Sequence, residues 1–140
     1  MINILAVEND RFNASQIYAT LSDKSRYHLA ICESGYTALE AIEQKRFDLI
    51  IINRDLPYLN GLKTAQHIRR KLGMSVSPFV IVAPSFDKEE INDFISTGVF
   101  DFWEGPLRPQ RIKLAADSAP LWQGEEDNLR SYKEYLDRIS

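Results

Sequence analysis

Residues 47–61 read Phe47-Asp48-Leu49-Ile50-Ile51-Ile52-Asn53-Arg54-Asp55-Leu56-Pro57-Tyr58-Leu59-Asn60-Gly61. The run from Phe47 to Ile52 is rich in β-branched residues and, past Asp48, does not alternate with polar ones. That pattern predicts a strand buried on both faces, as at the centre of a parallel sheet. It stops abruptly in Asn53, Arg54 and Asp55, and Pro57 and Gly61 mark a turn after them. In open α/β sheets the carboxyl ends of such strands are where function sits.

Outward from this strand, short apolar runs alternate with stretches of helical period, the pattern of repeated βα units. Ile2–Val7 and Tyr27–Cys32 predict two strands on the amino-terminal side. Between them Ala14, Ile17, Tyr18 and Leu21 mark one helix face; after the second strand Ala38, Leu39 and Ile42, behind a capping Ser34, mark another. On the carboxyl-terminal side, Leu62, Ala65, Ile68 and Leu72 form the inner stripe of a third helix that stops near Gly73. Phe79–Ala83 predicts the fourth strand. Asp87 and Glu90 have capping-box spacing, Ile91, Phe94 and Ile95 face the core, and Gly98 ends the fourth helix. Val99–Trp103 predicts a short fifth strand, and Pro109 opens a fifth helix that Pro120 closes. Right-handed crossovers turn five such units into a flavodoxin-like (βα)5 three-layer sandwich with a parallel sheet.

Composition sets the bounds. A chain of 140 residues, 44% hydrophobic and 26% charged, fits one globular domain with its own core. The net charge of -3 gives no electrostatic reason for a nucleic-acid surface. A single cysteine, Cys32, suits a reducing compartment, and the start of the chain has no basic leader before its apolar run. No apolar run is long enough to span a membrane. The expectation is a cytoplasmic protein.

Three segments together resemble the receiver domain of response regulators, over roughly residues 1–117. Ile4-Leu5-Ala6-Val7-Glu8-Asn9-Asp10 resembles the first strand with its acidic pair. Asp48 to Gly61 resembles the phosphoacceptor strand and its turn, and Asp101-Phe102-Trp103-Glu104-Gly105-Pro106-Leu107 resembles the Lys-Pro segment. The resemblance implies a sheet of order 2-1-3-4-5 and a phosphoryl-transfer site of five parts. These are an acceptor aspartate, two acidic residues that help hold magnesium, a hydroxyl residue after the fourth strand and a lysine after the fifth. Their task is positioning and neutralising oxygen charge.

Position by position, the resemblance places altered residues at this site. The acceptor position, four before Pro57, is Asn53, a neutral amide and a poor nucleophile. The acidic pair is Glu8 and Asn9, which with Asn53 leaves a hard-cation site short of two anionic ligands. The hydroxyl position is Ala83, the lysine position Gly105, and the switch aromatic Phe102. The expectation is a degenerate pseudo-receiver, not an enzyme, with magnesium binding lost or very weak. It would act as a phosphorylation-independent interaction module for a signalling partner or a second copy of itself. One alternative is a magnesium-dependent acceptor displaced to Asp55 or Asp10; the simpler expectation is that Asp10 caps a helix and Asp55 is a solvated loop carboxylate. Another is a small-ligand or nucleic-acid binder that reuses the vacated pocket.

Other chemistry finds little support. His28 and His67 have no ligand-spaced partners, no glycine-rich phosphate loop follows the first strand, and Ser15, Ser34 and Ser85 match no triad. Arg69-Arg70-Lys71 suits the dipole at a helix end. Phe86, Phe100, Phe102 and Trp103 are read as one aromatic group near the fourth helix and fifth strand, with Trp103 partly exposed as an interface anchor. Residues 1–118 are read as the receiver-like domain and 119–140 as a helical extension. In the latter, Leu129, Tyr132, Leu136 and Ile139 are spaced like a coiled-coil seam, and Trp122 adds apolar surface. Phe86, Trp103, Trp122, Leu129, Tyr132 and Leu136 are the expected interface residues.

Overall fold

A computed structural model describes residues 1–72 and 78–122. Five strands alternate with five helices: β1 (Ile2–Val7), α1 (Arg11–Thr20), β2 (Tyr27–Cys32), α2 (Gly35–Gln44), β3 (Leu49–Asn53), α3 (Gly61–Leu72), β4 (Phe79–Ala83), α4 (Lys88–Thr97), β5 (Asp101–Glu104) and α5 (Pro109–Ser118). A short 3-10 turn, Ala119–Trp122, follows. The sheet order is β2-β1-β3-β4-β5, and each pair is parallel. This is the doubly wound, flavodoxin-like sandwich expected from the sequence.

The central strand behaves as its composition demands. Ile50 and Ile52 enter one core with Ala38, Ile42, Ala65, Ile68 and Phe94, contributed by α2, α3 and α4. Leu49 and Ile51 point the opposite way, into a second core with Ile17, Leu21, Ile112 and Ala116 of α1 and α5. Strand alternation thus sends each neighbour to a different helix layer, which is why the run tolerates no polar residue.

Several expectations about faces are corrected. Tyr18, Ile95 and Leu72 are 58%, 43% and 38% exposed, because each helix buries only a narrow stripe; in α4 the inward position is filled by Phe94. β5 begins at Asp101 rather than Val99. The Val99 N–H is taken by the Phe94 carbonyl and that of Gly98 by Ile95, a helix-ending motif with Gly98 at φ 86°. Trp103 is buried, 3% exposed, in the α1–α5 core, where its Nε1 donates to Asp101 Oδ2 at 2.9 Å. Even at the sheet edge, helices cover both faces of β5, so alternation separates Trp103 from Phe102 and removes it from the expected interface. Phe86, Phe94 and Phe102 do form an edge-to-face cluster, with centroids 5.2 to 6.3 Å apart.

Arg69 also has a more specific task than its own helix dipole. Its guanidinium donates to the carbonyls of Thr97 and Gly98 at the end of α4, while it lies over the Phe79 ring at 4.5 Å. Gly73, the expected stop of α3, and the seam of Leu129, Tyr132, Leu136 and Ile139 lie outside the described residues, as does the Trp122 side chain.

The turn after β3 depends on one glycine. A Cβ on Gly61 would lie 2.5 Å from the Asn53 carbonyl oxygen and 2.7 Å from Arg54 Cα. Gly105, at φ 80°, has open space around its Cβ position. Gly61→Ala is therefore expected to destabilise the chain by about 2–3 kcal/mol, against about 1 kcal/mol for Gly105→Ala, where only the dihedral is penalised. Urea unfolding of both variants checks the order; equal losses would mean the turn has room to relax.

Candidate functional site

The parallel register brings the strand ends together. Val7 is level with Ile52, Asn53 with Val82, and Ala83 with Glu104. The residues that follow therefore surround one open cleft of about 450 Å3, lined by Asn9, Asp10, Asn13, Asn53, Asp55, Ala83, Pro84, Gly105 and Pro106. Every pocket position derived from the resemblance lies in or beneath it.

Glu8 is the buried floor, 2% exposed. Its Oε1 accepts from Asn53 Nδ2 at 2.6 Å and from the Asp10 N–H at 2.9 Å, and Oε2 lies 3.5 Å from Asn13 Nδ2. Burial pushes its carboxyl above the usual range against the pull of these hydrogen bonds, and the nearby Asp10 carboxylate adds a smaller upward push. Asn53 is satisfied on both sides, since its Oδ1 accepts from the Asp55 N–H at 2.8 Å. The amide thus uses its donor on a carboxylate and its acceptor on the loop backbone.

The rim differs in character. Asn9 is exposed. Asp10 caps α1, accepting from the Asn13 N–H at 2.9 Å, as expected from the sequence. Ala83 presents only a methyl group at the end of β4. The N–H of Gly105 donates to the Ala83 carbonyl at 3.0 Å. Beside it, Glu104 Oε1 accepts from the Phe86 N–H at 3.0 Å, so a carboxylate stands next to the position where the resemblance calls for lysine.

Arg54 stands at the strand end where the sequence places function, but the sequence assigns it no role. Its Nε and Nη2 donate to the two oxygens of Asp55 at 2.8 and 3.1 Å, and its Nη1 donates to Glu90 Oε1 at 2.8 Å. The same Nη1 reaches the Ser85 carbonyl, and the guanidinium lies 5.7 Å from the Phe86 ring centroid. The hydrogen bonds to Asp55, then those to Glu90, hold its pKa above the already high arginine value. Asp55 is the solvated loop carboxylate expected from the sequence, its side chain 57% exposed, and it is ion-paired to Arg54 as well. The capping box expected at α4 is half made. Asp87 accepts from the Glu90 N–H at 2.8 Å, while the Glu90 carboxylate turns to Arg54. A cation directly after a buried strand was the available signal; its partner lies 36 residues away and local spacing could not supply it.

The response-regulator receiver domain family matches residues 4–117 of the chain. The chain belongs to the response-regulator receiver family. Among curated relatives, the signal transduction histidine-protein kinase BarA of Escherichia coli (strain K12) is 24% identical over 111 residues, covering 79% of this chain and 12% of BarA. The probable C4-dicarboxylate response regulator DctR of Bacillus subtilis (strain 168) is 28% identical over 111 residues, 79% of this chain and 42% of DctR. The chain thus spans less than half the length of either relative. In fold it is similar to the Vibrio cholerae chemotaxis protein CheY4, with a TM-score of 0.77 at 20% identity, over 85% of this chain and 98% of that one. This receiver domain places the chain in two-component signalling. No helix among the described residues is long and apolar enough to cross a membrane.

Two substitutions test the floor of the cleft. Between the ordinary glutamate value of 4.5 and the raised value in the fold, the native state holds a proton that the unfolded chain has released. Glu8 therefore makes stability fall as pH rises through that window. Glu8→Gln is expected to remove this component, so urea unfolding from about pH 4 to 7 declines less steeply than in the parent. Asn53→Asp replaces the donor to Glu8 with a second carboxylate and is expected to cost about 2 kcal/mol at neutral pH, less in acid. An Asn53→Asp protein as stable as the parent at neutral pH would show that this hydrogen bond contributes little.

Proposed function

We propose that this receiver is a pseudo-receiver: a phosphorylation-independent protein-interaction module in two-component signalling. The observation that carries the reading is the state of Asn53. At the position of the family's acceptor aspartate stands an amide whose donor is committed to Glu8 and whose acceptor is committed to the Asp55 backbone. Ala83 offers no hydroxyl to a phosphoryl oxygen and Gly105 no charge. The backbone adds weight, because a lysine at Gly105 would have to adopt φ 80° or displace the chain.

Magnesium does not suit this donor set. Glu8 Oε1 already accepts two hydrogen bonds, and Asn9 and Asn53 are neutral. A hard cation that normally keeps octahedral oxygen ligands, several of them anionic, would have to displace the Asn53 amide first. The displaced-acceptor alternative fares no better on geometry. Asp10 is engaged as a helix cap and Asp55 is held by Arg54, and among the described residues that line the cleft there is no hydroxyl side chain or lysine.

The interaction surface on this reading is the face of α4, β5 and α5; Ile95 of α4 and Leu114 of α5 are exposed, and Phe86 and Phe102 are half-buried. Trp103 has no part in it. A signalling protein is the partner class, with self-pairing through the same face as the second form, and the net charge of -3 argues against nucleic acid. Lacking a phosphoryl group to bias two conformations, the domain holds one, and regulation falls to abundance or to partner binding. The lone cysteine agrees with a reducing cytoplasm.

Incubation with acetyl phosphate and magnesium, followed by intact-mass measurement and borohydride trapping of acyl phosphate, is expected to show no label on the parent. Asn53→Asp is expected to remain unlabelled too, because Asn9, Ala83 and Gly105 are unchanged. A trapped label at Asp55 or Asp10 in the parent would transfer the function to a displaced acceptor. A ligand-specific rise in Tm across a small-molecule panel would favour the vacated-pocket reading instead.

A further inference from the structure

Arg54 makes more contacts across elements than anchoring its own loop requires. We infer that it is an ionic latch that fixes the loop between β4 and α4 from within the chain and so sets the position of α4. This goes beyond the pseudo-receiver reading, because it concerns the order of one loop and holds or fails whether or not the cleft accepts a phosphoryl group.

The loop, Pro84 to Asp87, has no ladder bonds; it meets α4 through Asp87, whose Oδ1 and carbonyl accept from the Glu90 and Ile91 N–H groups, and three of its four residues are exposed. Apart from those Asp87 cap bonds, among the described residues, its hydrogen bonds to other elements come from two side chains. Arg54 donates from the β3 side to the Ser85 carbonyl, and Glu104 accepts from the Phe86 N–H on the β5 side. The Arg54 guanidinium also covers the Phe86 ring and pairs with Glu90 in the first turn of α4. One side chain thereby joins the end of β3 to the loop and to the helix after it. At the other end of α4, Arg69 binds the terminal carbonyls. The helix is thus gripped by a guanidinium at each end.

The chemistry suits a permanent hold. Arginine stays charged at any pH the fold survives, and its planar fork can satisfy several acceptors at once. The side chains of Arg54 and Glu90 are 26% and 25% exposed, so the pair is screened less than one fully in water. The contact with Asp55 is between sequence neighbours and orients the guanidinium; the arm to Ser85 and Glu90 spans elements. Phe86, pinned under the guanidinium, stacks edge-on against Phe94 of α4 and Phe102 of β5, which carries the constraint into the α4–β5 face.

Hydrogen exchange on the full chain, read by mass spectrometry, tests the latch with three variants. Arg54→Leu and Glu90→Ala are each expected to speed exchange over residues 84–91 about tenfold, with α1 and α2 unchanged. The double variant should be no faster than Arg54→Leu alone, since that substitution already removes the Glu90 pair together with the Ser85 and Phe86 contacts. Glu89→Ala removes the same helix-end charge from a side chain outside the latch and is expected to leave exchange as in the parent. Unchanged exchange over 84–91 in both Arg54→Leu and Glu90→Ala would overturn the latch. So would equal acceleration in Glu89→Ala, or acceleration spread evenly over the chain.

Discussion

The hydrogen bond from Asn53 Nδ2 to Glu8 Oε1, 2.6 Å long and buried, sets the terms for the rest of the site. It joins the ends of two adjacent parallel strands at the point where the sheet opens to solvent. A carboxylate buried at that depth needs a compensating charge or a set of donors. The Asn53 amide, the Asp10 N–H and Asn13 provide donors, so the chain meets the demand from its own atoms. The cleft that remains is polar and open, but its floor is already satisfied.

The same economy extends to the rim. A carboxylate at Glu104 ties down the β4–α4 loop beside a glycine in the left-handed region, and Arg54 reaches the loop from the other side. These contacts tie the loop to both neighbouring strands. The Phe86, Phe94 and Phe102 rings pack edge to face between that loop, α4 and β5.

The architecture was legible because it rests on periodicity. The unbroken run at residues 49–52 reads as a strand covered on both sides, and the strand order was implied by the family resemblance. The pocket positions were legible because each sits a fixed count from a turn or strand end. What stayed hidden depends on side-chain reach and on which face a residue takes. Trp103 read as an edge aromatic, yet alternation turned it into the α1–α5 core. Glu90 read as half of a local capping box, yet its carboxylate went to Arg54, 36 positions away, a pairing that no local pattern encodes. Leu72, Tyr18 and Ile95 fit helical stripes that proved narrower than the spacing alone suggests.

The central claim is that the cleft no longer senses a phosphoryl group, and it is tested most directly by following backbone amide NMR shifts while magnesium and beryllofluoride are added together. The account predicts no saturable shift at Asp10, Asp55 or along α4 and β5 up to millimolar metal. Saturable shifts that begin around Asp10 and Asp55 and extend to the α4–β5 face would contradict it, and would show a working site that has moved within the cleft.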